Sequence, residues 1–181
     1  MSYAEALRRY GSDKPDLRFE MELQDLSPAL EDTTFAPFAS VIAAGGEVKG
    51  IVVKGAAERM TRKALDELQE HAKRYGAGAL AWIKISDEVT SSLLKALGEE
   101  TVTRIASHAG AERGDAVLII AGTKKRVAAS LGALRNEVAR REKLIPDSVY
   151  RPLWVTEFPM FEFNEEDGRY YAMHHPFHFT A

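Results

Sequence analysis

Cysteine is absent from all 181 residues of the chain. That removes disulfides, cysteine-zinc sites and thiol nucleophiles together, and it suits a reducing compartment. No stretch approaches the ~20 apolar residues needed to span a bilayer, and the first residues, with Glu5, Arg8 and Arg9, contain no signal-peptide core. A soluble, cytoplasmic chain is expected, with no membrane partner. The phosphate-loop pattern, the dinucleotide glycine fingerprint and the nucleophile elbow are missing, as are internal repeats and low-complexity segments. What remains is a chain with 45% hydrophobic residues, enough for a real core.

The net charge of -3 is unevenly spread. Residues 1–34 carry 4 Lys and Arg against 8 Asp and Glu, residues 35–143 carry 18 against 13, and residues 144–181 carry 2 against 6. A mildly basic module therefore sits between two acidic flanks, so three units are expected at those boundaries. The basic middle faces an anion, or its lysines and arginines simply keep a small domain soluble.

Pattern reading gives a helix over 2–10 with Ser2 as its cap, then a loop forced by Gly11-Ser-Asp-Lys-Pro-Asp16. An antiparallel pair is expected at Phe38–Ala43 and Val48–Val53, joined at Gly45-Gly46. Thr61 caps a helix to about Tyr75, with Leu65, Leu68, Ala72 and Tyr75 on one face. Ala79–Ile85 reads as a strand, and two short helices are expected near Ser91–Leu97 and Glu99–Ala109. Ala116-Val-Leu-Ile-Ile-Ala121 reads as a central strand buried on both faces. A long helix follows from Thr123 to about Lys143. The order strand, strand, helix, strand, short helices, strand, helix predicts an α+β two-layer sandwich, one sheet covered by helices. Two more strands, Leu153–Phe163 and Arg169–His175, flank the turn Asn164-Glu-Glu-Asp-Gly168.

Three constellations carry chemistry. His174 and His175 lie on the return strand of that hairpin, where neighbours point to opposite faces, so one of them faces any given pocket. With His178 the other nearby imidazole and no cysteine, no metal site is expected. A partly exposed hairpin histidine is the plain alternative. The second constellation is Gly122-Thr-Lys-Lys-Arg126, where Lys124, Lys125 and Arg126 crowd a helix N-terminus and oppose its dipole. An anion such as phosphate would offset that repulsion, and so would extension of the long side chains into water. Arg135, Arg140, Arg141 and Lys143 extend the charge along the same helix, which suits a sequence-blind contact with RNA. Third, Asp13, Lys14, Asp16 and Arg18 crowd the head loop, to orient a substrate or to brace the loop.

Ser2-Tyr-Ala-Glu-Ala-Leu-Arg-Arg-Tyr-Gly-Ser-Asp-Lys-Pro-Asp-Leu-Arg-Phe19, Glu157-Phe-Pro-Met-Phe-Glu162 and Gly168 to Phe177 closely resemble bacterial-type aspartyl-tRNA synthetase, a class II enzyme. The middle resembles the same family through Phe35 to Gly46, Thr61-Arg-Lys-Ala-Leu-Asp-Glu-Leu68 and Gly78-Ala-Leu-Ala-Trp-Ile-Lys84. The resemblance implies that residues 35–143 are the GAD-type insertion domain shared with the amidotransferase B subunit, with a DCoH-like fold. Residues 1–34 and 144–181 are then flanking pieces of the catalytic domain. It further implies that His174, with His175, belongs to the aspartate site, that the intact enzyme uses ATP and magnesium, and that tRNA and the rest of the catalytic domain are partners.

The chain departs from the family pattern at Glu20, usually glycine, at Glu157, usually aspartate, and after Phe177, where His-Phe-Thr-Ala181 replaces Thr-Ser-Pro. The arginine motif that clamps ATP, the glycine-rich third motif and the anticodon barrel are missing. Adenylation needs fixed charges on phosphate and acyl oxygens. The expectation is therefore a fragment of an aspartate-tRNA ligase, monomeric, without catalytic residues or a cofactor of its own and inactive alone. The alternative is a stand-alone RNA-binding or interaction module that has kept the domain and lost catalysis.

Overall fold

In the computed structural model, which describes residues 1–164 and 167–173, the chain opens with helix α1 (Tyr3–Tyr10). Ser2 caps it by accepting the Glu5 N–H at 3.2 Å, and Gly11 closes it at φ 67, with its N–H on the Leu7 carbonyl. An irregular loop then leads to strand β1 (Gln24–Asp25) and a 3₁₀ turn, Ser27–Leu30.

The first difference from the sequence reading follows. Residues 36–43 form helix α2 (Ala36–Ala43) and not a strand. Pro37 sits in its first turn, where a missing N–H costs nothing, and Ala36, Ala39 and Ala43 favour a helix. The glycines therefore end a helix; Gly45 stands at φ 74. Strand β2 (Glu47–Val53) follows as expected.

Helix α3 (Arg62–Lys73) starts at Thr61, which accepts the Ala64 N–H at 3.2 Å, and buries Leu65, Leu68 and Ala72. Tyr75, expected on that face, lies beyond the helix and is half exposed. Strand β3 (Ala81–Ile85) pairs with β4 (Val89–Ser91), which the pattern did not reveal. Helix α4 (Leu94–His108) contains the anticipated break, since Gly98 stands at φ 75, ψ 165 inside it. Strand β5 (Ala116–Gly122) and helix α5 (Lys124–Arg141) complete the middle.

The strands β1-β2-β5-β3-β4 form one antiparallel sheet in that order. Its central pair, β2 and β5, matches seven residues, from Glu47 opposite Gly122 to Val53 opposite Ala116. Alternate residues of β5 feed two cores. Ala116, Leu118 and Ile120 pack with Leu65, Leu68, Val127, Leu131 and Leu134 of α3 and α5. Val117 and Ile119 pack with Phe38, Val102 and Ile105 of α2 and α4. Helices therefore cover both faces, and the unit has three layers in place of the two expected. The unbroken apolar run of β5 is the physical cause, because a strand with no polar face must be covered twice.

The acidic head is part of this core. Leu23 joins the first cluster, while Leu26 and Leu30 are fully buried in the second. Burial of side chains this size contributes about 1.5–3 kcal/mol each, so residues on both sides of the charge boundary near residue 34 build one core. At the other end, regular pairing among the described residues is confined to β6 (Phe161–Asn164) with β7 (Arg169–Ala172). The strand expected from Leu153 begins only at Phe161. Upstream of it, Thr156 forms a parallel bridge with Ser2.

Candidate functional site

At the start of α5 the cap residue Thr123 makes no side-chain capping hydrogen bond, and Lys124, Lys125 and Arg126 are all exposed. Lys125 Nζ donates to both carboxylate oxygens of Glu162 in β6, at 2.9 and 3.1 Å. That contact closes one side of a cleft of about 800 Å³ walled by Tyr3 and Leu7 of α1, Ala128 of α5, Phe161 and Met173, with Lys124 also lining it. Met173 directly precedes the histidine pair, so the basic helix start and the C-terminal hairpin border one space. Inside it, the buried Lys49 ammonium lies 3.3 Å from Glu47. His174 and His175 themselves lie outside the described residues.

The rest of the basic stripe is engaged elsewhere. Arg135 is 1% exposed. Its Nη2 donates to the carbonyls of Asp16 (2.8 Å), Phe19 (3.0 Å) and Glu20 (3.4 Å), and its Nε to that of Met21 (2.9 Å). The guanidinium also stacks 4.0 Å from the Phe19 ring centroid and 5.0 Å from that of Tyr10. Burial pushes its pKa down, and the Tyr10, Asp16 and Glu22 charges pull against that. A side chain so enclosed is not available to a phosphate, which corrects its assignment to an RNA-facing stripe.

Arg140 and Arg141 turn to Glu137 at 2.5 and 2.6 Å, and Arg141 also reaches Glu67 at 2.8 Å. The Arg140 hydrogen bond, helped by Arg141 against the cost of burial, holds the Glu137 carboxyl at about 2. Of the cations named from sequence on this helix, Lys124, Arg126 and Lys143 have no side-chain hydrogen-bond or ion-pair partner among the described residues, and Lys143 lies beyond the end of α5. In the head loop Arg18 grips Asp16 through Nε and Nη2, at 2.7–3.2 Å, and this depresses the Asp16 pKa. That pair braces the loop.

The match to a known family takes in Lys49 and the basic start of α5, but not Arg135, Glu137, α1 or the hairpin. Residues 38–131 fit the family model described as the GAD domain, from α2 through the sheet to the first half of α5. The chain belongs to the GAD domain family. It is 48% identical over 178 residues to an aspartate-tRNA(Asp/Asn) ligase of Anoxybacillus flavithermus and, over the same length, 48% identical to one of Caldanaerobacter subterraneus subsp. tengcongensis. An aspartate-tRNA ligase of Lysinibacillus sphaericus is 46% identical. Each alignment takes in 98% of this chain and 30% of the relative, so the chain spans under a third of the length of the curated relatives it matches.

Sequence reasoning missed two anchors of the fold. Asp115, buried at the start of β5, accepts the N–H groups of Gly55 and Glu112 and the Lys54 ammonium, at 2.8–2.9 Å. Burial pushes its carboxyl up, but those donors outweigh it and the net shift is downward. Glu137 was the second, hidden among the arginines around it. Among the described residues of the GAD domain and its flanks, no three His, Asp or Glu side chains are placed to hold a metal ion. No described helix is long and apolar enough to cross a membrane.

Proposed function

We propose that this chain is the inserted GAD domain of an aspartate-tRNA ligase, together with segments of the host catalytic domain on either side of it. One observation carries the reading. The two flanks leave the GAD domain side by side: Ser2 bridges Thr156 in parallel, the Tyr3 N–H donates to the Thr156 carbonyl at 2.8 Å, and the Thr156 N–H donates to the Met1 carbonyl at 3.1 Å. Adjacent entry and exit points are what an insertion needs in order to leave its host's chain path undisturbed. The relatives' names and the GAD match support an aspartate-tRNA ligase as the host.

In this reading the host activates aspartate with ATP and transfers it to tRNA, and the segment after Met173 brings His174 and His175 to the aspartate. The partner in the host is the remainder of the catalytic domain. Its docking surface is the C-terminal segment, where Tyr150, Trp154, Phe161, Phe163, Tyr170 and Tyr171 are all exposed, the first two almost wholly. So many large apolar side chains in one region mark a contact surface, not a solvated wall. The DCoH-like relationship of the middle belongs to the same proposal.

The test is aspartate-dependent exchange of pyrophosphate into ATP. The 181-residue chain alone is expected to give none, and a longer polypeptide from the same locus with the ATP-clamping and third motifs to give exchange that His174→Ala abolishes. Exchange by the chain alone above its own His174→Ala variant would overturn the reading, as would a locus without those motifs in frame. The stand-alone RNA-binding alternative draws its support from Lys124 and Arg126, which are exposed and have no partner among the described residues.

A further inference from the structure

The four carbonyls that converge on Arg135 come from six consecutive residues, 16 to 21, which contain neither helix nor strand. Without an outside donor those acceptors would have to be hydrated or rearranged. Met21 is held at φ 90, a left-handed conformation that a side chain with Cβ resists, and its carbonyl is the one bound by Arg135 Nε. The loop's far side, through Leu17, Phe19 and Met21, walls a second cleft of about 800 Å³ that reaches Val52 and Lys54 of the GAD domain. No carboxylate forms an ion pair with Arg135 among the described residues. A buried guanidinium satisfied by carbonyl dipoles and ring faces is an expensive way to fill a core, and an apolar side chain would fill the same volume at lower cost. What the guanidinium adds is a planar fork of donors that fixes several acceptors at once.

We propose that Arg135 is a positioning residue, which from within α5 holds loop 16–21 in one conformation and thereby shapes the cleft that the loop walls. On the functional reading above, that loop belongs to the host, so Arg135 is the point at which the GAD domain grips the catalytic domain. The loop assignment can be tested without ligase activity, and its failure is thus separable from failure of that reading.

The experiment is limited trypsin digestion of the full chain, following cleavage after Arg18, in the loop, and after Lys84, in the central sheet. Arg135→Gln is expected to raise the first rate about tenfold more than the second, a local opening and not a global one. Added guanidinium ion at low millimolar concentration should restore part of the protection by re-occupying the vacated position. Val138→Ala, which removes core packing one turn along α5 but none of the hydrogen bonds to the loop, should raise both rates together. If Arg135→Gln does not fold, Arg135→Lys, which keeps the charge but loses the fork, should show the same selective cleavage to a smaller degree. Cleavage after Arg18 and Lys84 rising in step in the Arg135 variants, or loop opening of equal selectivity in Val138→Ala, would overturn the proposal.

Discussion

Gly11 and Gly132 meet where the end of α1 crosses the middle of α5, so closely that a Cβ on Gly132 would stand 2.6 Å from the Gly11 carbonyl oxygen. A Cβ on Gly11 would collide in turn with the Ala128 carbonyl. Backbone is on both sides of this crossing, so neither partner can yield as a flexible side chain would. The contact brings Tyr10 and the loop after it down onto the GAD domain, within reach of Arg135.

Gly132→Ala is therefore expected to lower stability by about 1–3 kcal/mol despite alanine's better helix propensity, because overpacking against backbone outweighs a gain of about 1 kcal/mol. Urea unfolding measures it. Gly11→Ala should cost more, since it adds a positive φ of 67 to the same collision. An unchanged midpoint in both variants would mean that α1 does not sit on α5 as described.

Glu137 offers a pH test with a definite sign. Its folded pKa of about 2 lies below the ordinary carboxylate value, so its contribution is fully present above the unfolded pKa and is lost as pH falls from there through about 2. Glu137→Gln should reduce stability at neutral pH by about 1–2 kcal/mol, discounted from a fully buried pair because Arg140 is well exposed. The wild-type and variant curves should then converge near pH 2. A constant difference from pH 7 to pH 2 would show that the carboxylate's charge is not the source.

Asp115 predicts a larger loss. Asp115→Ala strands the N–H groups of Gly55 and Glu112 at the base of the central strand and leaves Lys54 without its carboxylate, for an expected cost of about 2–4 kcal/mol. Asp115→Asn keeps one acceptor and should fall in between. The order of the two variants in thermal unfolding checks the assignment.

The sequence made some of this architecture legible for reasons that can be named. The Thr61 and Ser2 caps, the break at Gly98 and the run at 116–121 are local signals, and each element stands where its signal put it. Phe38 to Ala43 failed because a short apolar run carries no period of its own, and Pro37 had to be read as a first-turn proline to decide for a helix. The third layer was written in the same β5 run that gave the strand, since a strand buried on both faces demands two covers. The roles of Arg135 and Glu137 were not legible. Their partners lie 114 to 119 residues away in one case and are masked by like-charged neighbours in the other. A basic stripe on a helix looks the same in sequence whether it meets phosphate, a carboxylate or a ring of carbonyls.

That distinction sets the expected RNA behaviour. Read as a continuous stripe, α5 would neutralise three to four phosphates, with a log-log salt slope of about -2 to -3. With Arg135 enclosed, Arg140 and Arg141 paired to Glu137, and Lys125 paired to Glu162, the two cations at the helix start that have no partner among the described residues, Lys124 and Arg126, predict about two phosphates and a slope of about -1.4 to -1.8. Titrating tRNA into the chain over a series of salt concentrations measures the slope. Lys124→Ala with Arg126→Ala should flatten it, whereas Arg140→Ala should leave it unchanged, because that arginine is already neutralised within the fold. A slope as steep as -3, or one that Arg140→Ala reduces as much as the double variant does, would show that the Glu137 pairs open to receive RNA and that the stripe acts as a whole.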